Sequence, residues 1–333
     1  MPELRRDPII GRWVIIATSR GKRPSSFEPT PDYQEGGSCP FCPGSEDKTP
    51  PEILAYYNTG REKNKPGWWV RVVPNKFPAL EIEGDLARAG DGLYDKMNGM
   101  GAHEVIIETP NHDQAVHEMD IKKLEDVVWA YRDRILDLAK DPRLEYILVF
   151  KNHGAAAGAS LKHPHSQLMA LPMVPIRVKQ EAAGAKNYFE YKERCVYCDI
   201  IRQESSAKTR VVAENKDFIA FAPFASRSPF EIWIVPLRHS SDFQDILKGE
   251  VTSLAEIMKN VMGRHHAVLD NPPFNFILHT GPLRTQKLPY THWYIEIIPK
   301  LSRQAGFEQG TGFYINPMPP EDAAQFLRDS FQI

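Results

Sequence analysis

All four cysteines of this 333-residue chain fall in two pairs with the same spacing, and this restricts the possible folds more than any other feature. The pairs are Cys39-Pro40-Phe41-Cys42 and Cys195-Val196-Tyr197-Cys198. A two-residue spacing lets both thiolates reach one tetrahedral metal ion from a tight turn. A thioredoxin-type redox pair is the competing interpretation, but it expects a helix that begins at the first cysteine, whereas Cys39 lies among glycines and prolines. The spacing therefore favours a metal site in each half of the chain.

Two series of apolar runs with strand character follow each other along the chain. The first comprises Trp13 to Ala17, Trp68 to Val73, Glu104 to Glu108, Tyr146 to Phe150 and Gln167 to Leu171; the second comprises Arg210 to Ala213, Phe218 to Ala222, Glu231 to Val235, Phe274 to Leu278 and His292 to Ile298. Late in each series, apolar residues recur at helical spacing, after Asp120 and again from Val251 to His265. This order predicts an α+β fold of two antiparallel units, each with a long amphipathic helix.

Residue matches between the two series indicate a duplication. Residues 104–112 align without a gap on residues 231–239, and the segment that begins at His163 aligns with the one that begins at His292. Matches separated by loops of unequal length are typical of two copies of one unit. We therefore expect two domains, residues 1–175 and residues 176–333.

Each half then supplies two cysteines and two histidines. The predicted ligand sets are Cys39, Cys42, His112 and His163 in the first half, and Cys195, Cys198, His239 and His292 in the second. A complete Cys2His2 set with no open position is typical of structural zinc. The histidines without a counterpart in this pattern are expected to be structural or solvent-exposed: His103, His117, His153, His265 and His266.

The segment His163-Pro164-His165-Ser166-Gln167 carries the chemistry that we expect. Tyr294 stands in the second half where His165 stands in the first, so this nucleophilic imidazole occurs once per chain. A neutral imidazole attacks phosphorus readily near pH 7 and leaves a labile N–P bond. Gln167 continues the same strand face and could donate to phosphoryl oxygens as charge develops on them. His165 and Gln167 are the predicted catalytic residues.

Two further segments suit a ligand with phosphate groups. Residues 152–160 follow a strand and carry mostly small side chains, which would let the backbone approach a diphosphate closely. Arg20-Gly21-Lys22-Arg23 is a compact basic cluster that would hold phosphates, although a solvated hairpin turn is an equally good interpretation.

The charge balance argues against a nucleic-acid or membrane partner. The chain has 43 acidic and 41 basic residues, a formal net charge of −2, and no long basic run. The N-terminus lacks the apolar core of a signal peptide, so we expect a cytoplasmic protein. A zinc-knuckle module for nucleic acid or protein is the alternative from another class, but it does not explain why His165 is matched by Tyr294.

The chain closely resembles the galactose-1-phosphate uridylyltransferase family, the transferase branch of the histidine-triad superfamily. The motifs that carry the resemblance are Arg-x-Asp-Pro near the start, Trp13-Val-Ile-Ile16, Arg20-x-Lys-Arg23-Pro24, the first cysteine pair, Asn75 before Phe77-Pro-Ala-Leu80, Gly101-x-His-Glu-Val105, Asn152 through Ser160, and His163-Pro-His165. The resemblance implies duplicated histidine-triad-like units. It also implies a double displacement in which His165 takes a nucleotidyl group from a nucleotide sugar, releases a sugar 1-phosphate and passes the group to a second acceptor.

The resemblance also implies roles for particular residues. By matching position, the phosphates would be contacted by Arg20, Arg23, Asn152, Ser160 and Gln167, and the nucleoside by Asn75. The family further implies a homodimer in which Phe307 and Glu308 reach the neighbouring subunit's site. The main prediction is therefore a UDP-glucose:galactose-1-phosphate uridylyltransferase of galactose metabolism, with two structural zinc ions.

Three departures from the family pattern support an alternative. Ser166 replaces a glycine, Tyr294 replaces one of three histidines that hold a second metal with a glutamate in many members, and Phe307 replaces a tyrosine. Glu181, His279 and His292 could still supply three ligands, although the set that contains Cys195 is the better second site. These features look like those of a plant-type relative that acts on ADP-glucose as a phosphorylase, with phosphate as acceptor.

A hydrolase of the same superfamily is the remaining enzymatic alternative. Such enzymes commonly carry a third histidine at the place that Gln167 occupies here, which favours transfer to an acceptor other than water.

Overall fold

The computed structural model describes residues 2–18, 20, 39–285, 287–302 and 304–329. The strands in these ranges are β1 (Glu3–Arg6), β2 (Trp13–Ile16), β3 (Leu54–Tyr57), β4 (Trp68–Pro74), β5 (Ala89–Asp91), β6 (Tyr94–Lys96), β7 (Ala102–Ile107), β8 (Tyr146–His153), β9 (His165–Leu171), β10 (Val211–Glu214), β11 (Phe218–Phe221), β12 (Ile232–Pro236), β13 (Phe274–His279), β14 (Tyr294–Pro299) and β15 (Tyr314–Asn316). The α-helices are α1 (Ile121–Leu138), α2 (Ile176–Lys192), α3 (Val196–Ala207), α4 (Lys248–Leu269), α5 (Gly306–Thr311) and α6 (Pro320–Asp329).

One sheet of ten strands passes through both halves of the chain, in the order β10-β11-β12-β14-β13-β8-β9-β7-β4-β3. Every neighbouring pair in it is antiparallel. The predicted α+β class with antiparallel sheet is confirmed. Read outward from the β8–β13 pair, the two halves have matching strand orders, which agrees with the predicted duplication. The duplication itself, and the domain boundary between residues 175 and 176, stay predictions.

The two predicted amphipathic helices, α1 and α4, cover one face of this sheet. On α1 the buried residues include Leu124, Val128, Tyr131 and Ile135, which recur at the helical spacing seen in the sequence. They contact the strand residues that alternate toward the helices, such as Leu168 in β9, within one large apolar cluster. We call this the helix face.

Among the described residues, those that cover the opposite face lie at its two ends. Phe41 covers β7 at one end through contacts with Val105 and Ile107. Helices α2 and α3 cover β11, β12 and β14 at the other end, where Ala185 and Ile201 pack near Trp233. Between the ends, alternate residues of β9 and β8 such as Gln167 are only partly buried. This uncovered middle, the front face, is where a ligand can approach the sheet.

Two of the differences between the structure and the predicted elements lie around the second cysteine pair. Helix α2 buries only Ala185, so apolar residues do not recur at helical spacing along its sequence. Apolar periodicity therefore could not predict this helix. Helix α3 begins directly after Cys195, its N-cap, which places Cys198 in the first helical turn. The second cysteine pair therefore lies at a helix start rather than in a loop like the first. None of the helices in the described ranges has the length and apolar character needed to cross a membrane.

Candidate active site

The first four predicted zinc ligands come together beside the front face. The ligand atoms of Cys39, Cys42, His112 and His163 all lie within 4.8 Å of one another. Sγ of Cys42 is 3.4 Å from Nδ1 of His112 and 3.6 Å from Nδ1 of His163. A tetrahedral zinc ion separates its sulfur and nitrogen ligands by about 3.5 Å. These four side chains therefore fit zinc.

A hydrogen bond fixes which nitrogen of His163 faces the cysteines. Nε2–H donates to the backbone carbonyl of Thr109 at 2.8 Å, so Nδ1 keeps its electron pair for a metal ion. Burial lowers the pKa of His163 to about 4, which keeps the ring in the neutral form that binds metals.

The second predicted set is assembled less completely. Cys195, Cys198 and His239 have ligand atoms within 4.8 Å of one another, and Sγ of Cys198 is 3.3 Å from Nδ1 of His239. His292 lies beside them, with its ring centroid 5.4 Å from that of His239. Its Nδ1–H donates to the carbonyl of Trp293, while Nε2 is buried without a hydrogen-bond partner. An unpaired buried nitrogen is costly, by about 1–3 kcal/mol. A metal ion would remove that cost, so this set also fits zinc.

His165 is the first residue of β9 and is held in one tautomer. Its Nδ1–H donates to the carbonyl oxygen of His163 at 2.7 Å, so the nitrogen with the free electron pair is Nε2. Burial lowers the pKa of His165, and the positive charge of Lys151 lowers it further. The ring is therefore neutral at pH 7, as a nucleophilic imidazole must be.

Phe41 connects the first cysteine–histidine group with His165. It lies between the two cysteines of the turn, and its ring centroid is 5.2 Å from that of His165 in an edge contact. The ring is also packed against Val105 and Ile107. A metal ion that holds this turn would therefore also hold one wall of the space around His165.

His103 contacts two of the predicted ligand-binding residues, whereas the sequence pattern alone assigns it a structural or solvent-exposed position. Its Nε2 is 2.8 Å from Oε1 of Gln167 and 3.1 Å from Nδ2 of Asn75. Its place in the Gly101-x-His-Glu-Val105 motif is the signal that could have identified it. The structure thus joins a predicted phosphate contact and a predicted nucleoside contact through one imidazole.

Asn152 is held by a residue that sequence reasoning missed altogether. Asn275, its cross-strand neighbour in β13, donates from Nδ2 to Oδ1 of Asn152 at 2.8 Å and to the carbonyl of Ala157 at 2.9 Å. The following loop needs glycine at residue 154, because φ is +80° and a Cβ there would lie 2.7 Å from Cβ of Pro273. The tight loop keeps Ser160 exposed on the protein surface.

A buried polar network lies behind His165, on the helix face of the sheet. Ser166 donates to Oε1 of Glu108 and is 2.7 Å from the Tyr131 hydroxyl, and Lys151 donates to Oε2 of Glu108 at 2.5 Å. Burial would raise the pKa of Glu108, but Lys151 and Ser166 hold it below its ordinary value. The network joins β8, β9 and the end of β7 directly beneath the nucleophile.

Several other predicted residues have no contact with His165 in the part of the chain that the structure describes, or lie outside that part. Arg20 is exposed, and Arg23 lies outside the described residues. Phe307 is exposed on α5, and Glu308 accepts a hydrogen bond from the backbone of Ala305 at the start of that helix. The proposed contribution of Phe307 and Glu308 to a neighbouring subunit stays a prediction.

The alternative ligands Glu181 and His279 belong to an ionic network instead. His279 stacks on Tyr294 with ring centroids 4.3 Å apart, and its Nε2 is 3.1 Å from Glu296. Arg177 binds both Glu181 and Glu296. Two groups of three or more possible metal ligands occur among the described residues, and neither includes Glu181 or His279. The guanidinium of Arg177 therefore neutralises the carboxylates of Glu181 and Glu296 at this position.

Comparisons with known proteins give the same family. A model described as the galactose-1-phosphate uridyl transferase N-terminal domain matches residues 1–175, and one described as a domain of unknown function matches residues 100–331. The ADP-glucose phosphorylase of Arabidopsis thaliana is 40% identical over an alignment of 335 positions that covers 98% of this chain and 93% of that protein. The galactose-1-phosphate uridylyltransferase of Thermotoga maritima is 30% identical over 99% of both chains.

Solved structures give a consistent result. The crystal structure of an Arabidopsis thaliana ADP-glucose phosphorylase with bound ADP-glucose matches with a TM-score of 0.87, at 39% identity and over all of both chains. A structure of a uridylyltransferase matches with a TM-score of 0.77, at 27% identity, over 99% of this chain and 98% of the other.

Proposed function

Since the chain belongs to the galactose-1-phosphate uridylyltransferase family, we propose that it transfers the adenylyl group of ADP-glucose to inorganic phosphate through His165. The observation that carries the transfer chemistry is the position of His165. Its Nδ1–H is bound to the His163 carbonyl, its Nε2 carries a free electron pair, and burial favours its neutral form.

The proposed reaction has two displacements at one phosphorus atom. Nε2 of His165 attacks the α-phosphorus of ADP-glucose, and the bond from that phosphorus to the bridging oxygen breaks, so that glucose 1-phosphate leaves. An oxygen of inorganic phosphate then attacks the same phosphorus, and the N–P bond breaks to give ADP and free His165. Each displacement needs hydrogen-bond donors for the phosphoryl oxygens, which fits the side-chain amides of Gln167 and Asn152.

The choice of adenylyl over uridylyl transfer rests on the comparisons. Identity to the ADP-glucose phosphorylase is 40%, against 30% for the uridylyltransferase of Thermotoga maritima. The departures at Ser166, Tyr294 and Phe307 point in the same direction. The comparisons therefore favour the alternative drawn from the sequence over its main prediction, the galactose enzyme.

Uridylyl transfer from UDP-glucose to galactose 1-phosphate is the second candidate. The match of residues 1–175 to the uridylyl transferase model and the nearly complete coverage of the Thermotoga maritima enzyme support it. Both candidates use the same nucleotidyl-histidine and differ in the base and in the acceptor.

We further propose that both Cys2His2 sets hold structural zinc. The first would be held by Cys39, Cys42, His112 and His163, and the second by Cys195, Cys198, His239 and His292. With four protein ligands each, the ions would stabilise the fold without offering an open position to substrate. The first ion would contribute to the site by fixing the turn that carries Phe41 beside His165.

A donor and acceptor panel tests the proposed function. ADP-glucose, UDP-glucose and UDP-galactose, labelled with ³²P at the α-phosphorus, are incubated with the protein alone, and then with phosphate or galactose 1-phosphate. We expect acid-labile label on the protein from ADP-glucose, released as labelled ADP by phosphate. Label from UDP-glucose that only galactose 1-phosphate releases would establish the second candidate instead.

Two histidine variants show where the label resides. His165→Ala should abolish labelling, whereas His153→Ala should retain it, because His153 stacks on Phe274 on the helix face. Undiminished labelling of His165→Ala would contradict the proposal, and so would loss of label in both variants with the fold intact by circular dichroism.

A further inference from the structure

Three side-chain amides near the front face share one arrangement, in which a protein donor binds the amide oxygen. Oδ1 of Asn75 accepts from the backbone N–H of Phe77, Oδ1 of Asn152 accepts from Asn275, and Oε1 of Gln167 faces His103. When the oxygen is occupied in this way, the NH2 group is the part of the amide left for a ligand. Such a set of donors suits an anion.

The orientation of Gln167 depends on the tautomer of His103. The backbone N–H of Ala79 donates to Nδ1 of His103 at 3.2 Å, so Nδ1 carries the electron pair of a neutral ring. The proton must then lie on Nε2, which is 2.8 Å from Gln167. The Nε2–H of His103 needs a hydrogen-bond acceptor at this 2.8 Å contact. The Gln167 amide therefore turns its Oε1, and not its NH2 group, toward His103.

Asn75 places a second N–H donor beside the same nitrogen. Its Oδ1 is bound to Phe77, so its NH2 group is the part that lies 3.1 Å from Nε2 of His103. Because Nε2 already carries a proton, it cannot accept from Asn75, so the two donors face each other at 3.1 Å without a hydrogen bond and Gln167 alone is bound to this nitrogen. The N–H groups of Asn75 and Gln167 are thus both available to a ligand on the front face.

The polarity of the Gln167 amide decides whether it helps or opposes nucleotidyl transfer. Gln167 and His165 face the same side of β9, about 7 Å apart along the strand. An NH2 group near the attacked phosphorus stabilises the negative charge that grows on its oxygens, whereas an amide oxygen in its place repels that charge. Loss of one such donor commonly lowers kcat by a factor of about 100 to 1,000.

We propose that His103 is a positioning residue for nucleotidyl transfer, which fixes the Gln167 amide with its NH2 group toward the phosphoryl oxygens. The inference rests on the proposed transfer through His165. His103 acts on the reaction only through Gln167, since its own Nε2–H is used by Oε1. His103 lies in β7 on the same side of the sheet as Val105, which is paired with Gln167 in β9. The His103 ring can therefore contact the Gln167 side chain.

Two amide substitutions of His103 distinguish a role in positioning Gln167 from a role in stabilising the fold. His103→Asn keeps an acceptor near Ala79 but is too short to donate to Gln167, whereas His103→Gln can place an N–H near the former Nε2. The rate constant for labelling His165 from ADP-glucose should fall about 10- to 100-fold in His103→Asn. His103→Gln should restore most of that loss, with KM for ADP-glucose changed less than the rate.

A double-mutant cycle with Gln167→Met tests whether His103 acts through Gln167. In that background no amide remains to be oriented, so His103→Asn should lower the labelling rate by less than about twofold. If the two losses multiply instead, His103 acts independently and the proposal is wrong. Equal defects in His103→Asn and His103→Gln would also overturn it.

The tautomer provides a measurement that does not depend on activity. NMR of ¹⁵N-histidine-labelled protein, assigned by comparison with His103→Asn, should show the proton of His103 on Nε2 at neutral pH. A proton on Nδ1 would overturn the proposed orientation even in an active enzyme. If no nucleotide sugar labels the wild-type protein, the proposed function fails and the catalytic role fails with it, while the tautomer still decides the orientation of Gln167.

Discussion

Single residues in this molecule owe their properties to partners that are distant in sequence. Nε2 of His165 keeps its electron pair because Nδ1–H is bound to the carbonyl of His163, while His163 turns its own Nδ1 toward the cysteines. Two histidines two residues apart therefore have different tautomers and different proposed tasks. Ser166, between the nucleophile and Gln167, faces the opposite side and binds Glu108.

Ser166→Ala should destabilise the protein, because it removes a donor from a fully buried carboxylate. Glu108 would keep Tyr131 and Lys151 as partners, so we expect a loss of about 1–3 kcal/mol in the free energy of unfolding. Urea denaturation followed by tryptophan fluorescence measures it. Ser160→Ala, at an exposed position, is the matched control and should change stability by less than about 0.5 kcal/mol. Equal stability of the two variants would contradict the importance of the network.

At the scale of elements, buried polar groups join strands and helices that the apolar core already holds together. Helix α4 buries His265, whose Nε2–H donates to the carbonyl of Phe230 at 2.9 Å and so ties the helix to the segment before β12. Burial lowers the pKa of His265 to about 4. Because the buried ring is neutral, the helix contact is stable only while His265 is unprotonated, and the stability of the protein therefore depends on pH.

The protein should therefore lose stability in mild acid, in part through His265. Its pKa is about 4 in the folded protein against 6.5 in the unfolded chain, so between these values only the unfolded state binds the proton. Stability falls as pH decreases through this window, by about 2 kcal/mol from pH 7 to pH 5 for this residue.

His265→Gln keeps a donor for the Phe230 carbonyl. Its free energy of unfolding should fall between pH 7 and pH 5 by about 2 kcal/mol less than that of the wild type. Denaturation curves at the two pH values measure the difference. His266→Gln, at the exposed neighbouring position on α4, is the comparison variant. The prediction fails if His265→Gln and wild type lose equal stability on acidification.

At the scale of the whole molecule, one continuous sheet carries a cysteine–histidine group beside each half and His165 near its middle. The first group contacts His165 through Phe41, whereas the second lies beside α3, at the end of the sheet that α2 and α3 cover. The two proposed zinc ions should therefore have unequal effects on the chemistry.

We expect two zinc ions per chain by elemental analysis, and one in His292→Ala. Loss of the second ion should lower Tm, because no ion then joins α3 to the start of β14, while labelling of His165 continues at a similar rate in the folded protein. Cys42→Ser should lower both Tm and the labelling rate. His266→Ala, outside both ligand sets, should retain two ions. Unchanged zinc content in His292→Ala would exclude His292 as a ligand.

The predictions from sequence succeeded where a side chain's chemistry or a repeated spacing carries the information. The antiparallel α+β class, the long helices and the family are confirmed. The two cysteine–histidine groups are present, although His292 stands slightly apart from its three partners. Helices α2 and α3 escaped prediction because α2 shows little apolar periodicity and α3 begins at a cysteine pair interpreted as a metal-binding turn.

The sequence by itself determined which groups can react or bind metal, because the chemistry of imidazole and thiolate belongs to the residue type. Only the tertiary structure decided how those groups are oriented. The polarity of an amide or the tautomer of a ring is set by partners such as His103, which is 64 residues from Gln167 in the chain and 2.8 Å from it in space. A hydrogen bond across neighbouring strands depends on register and on side-chain direction, and these exist only once the sheet has formed.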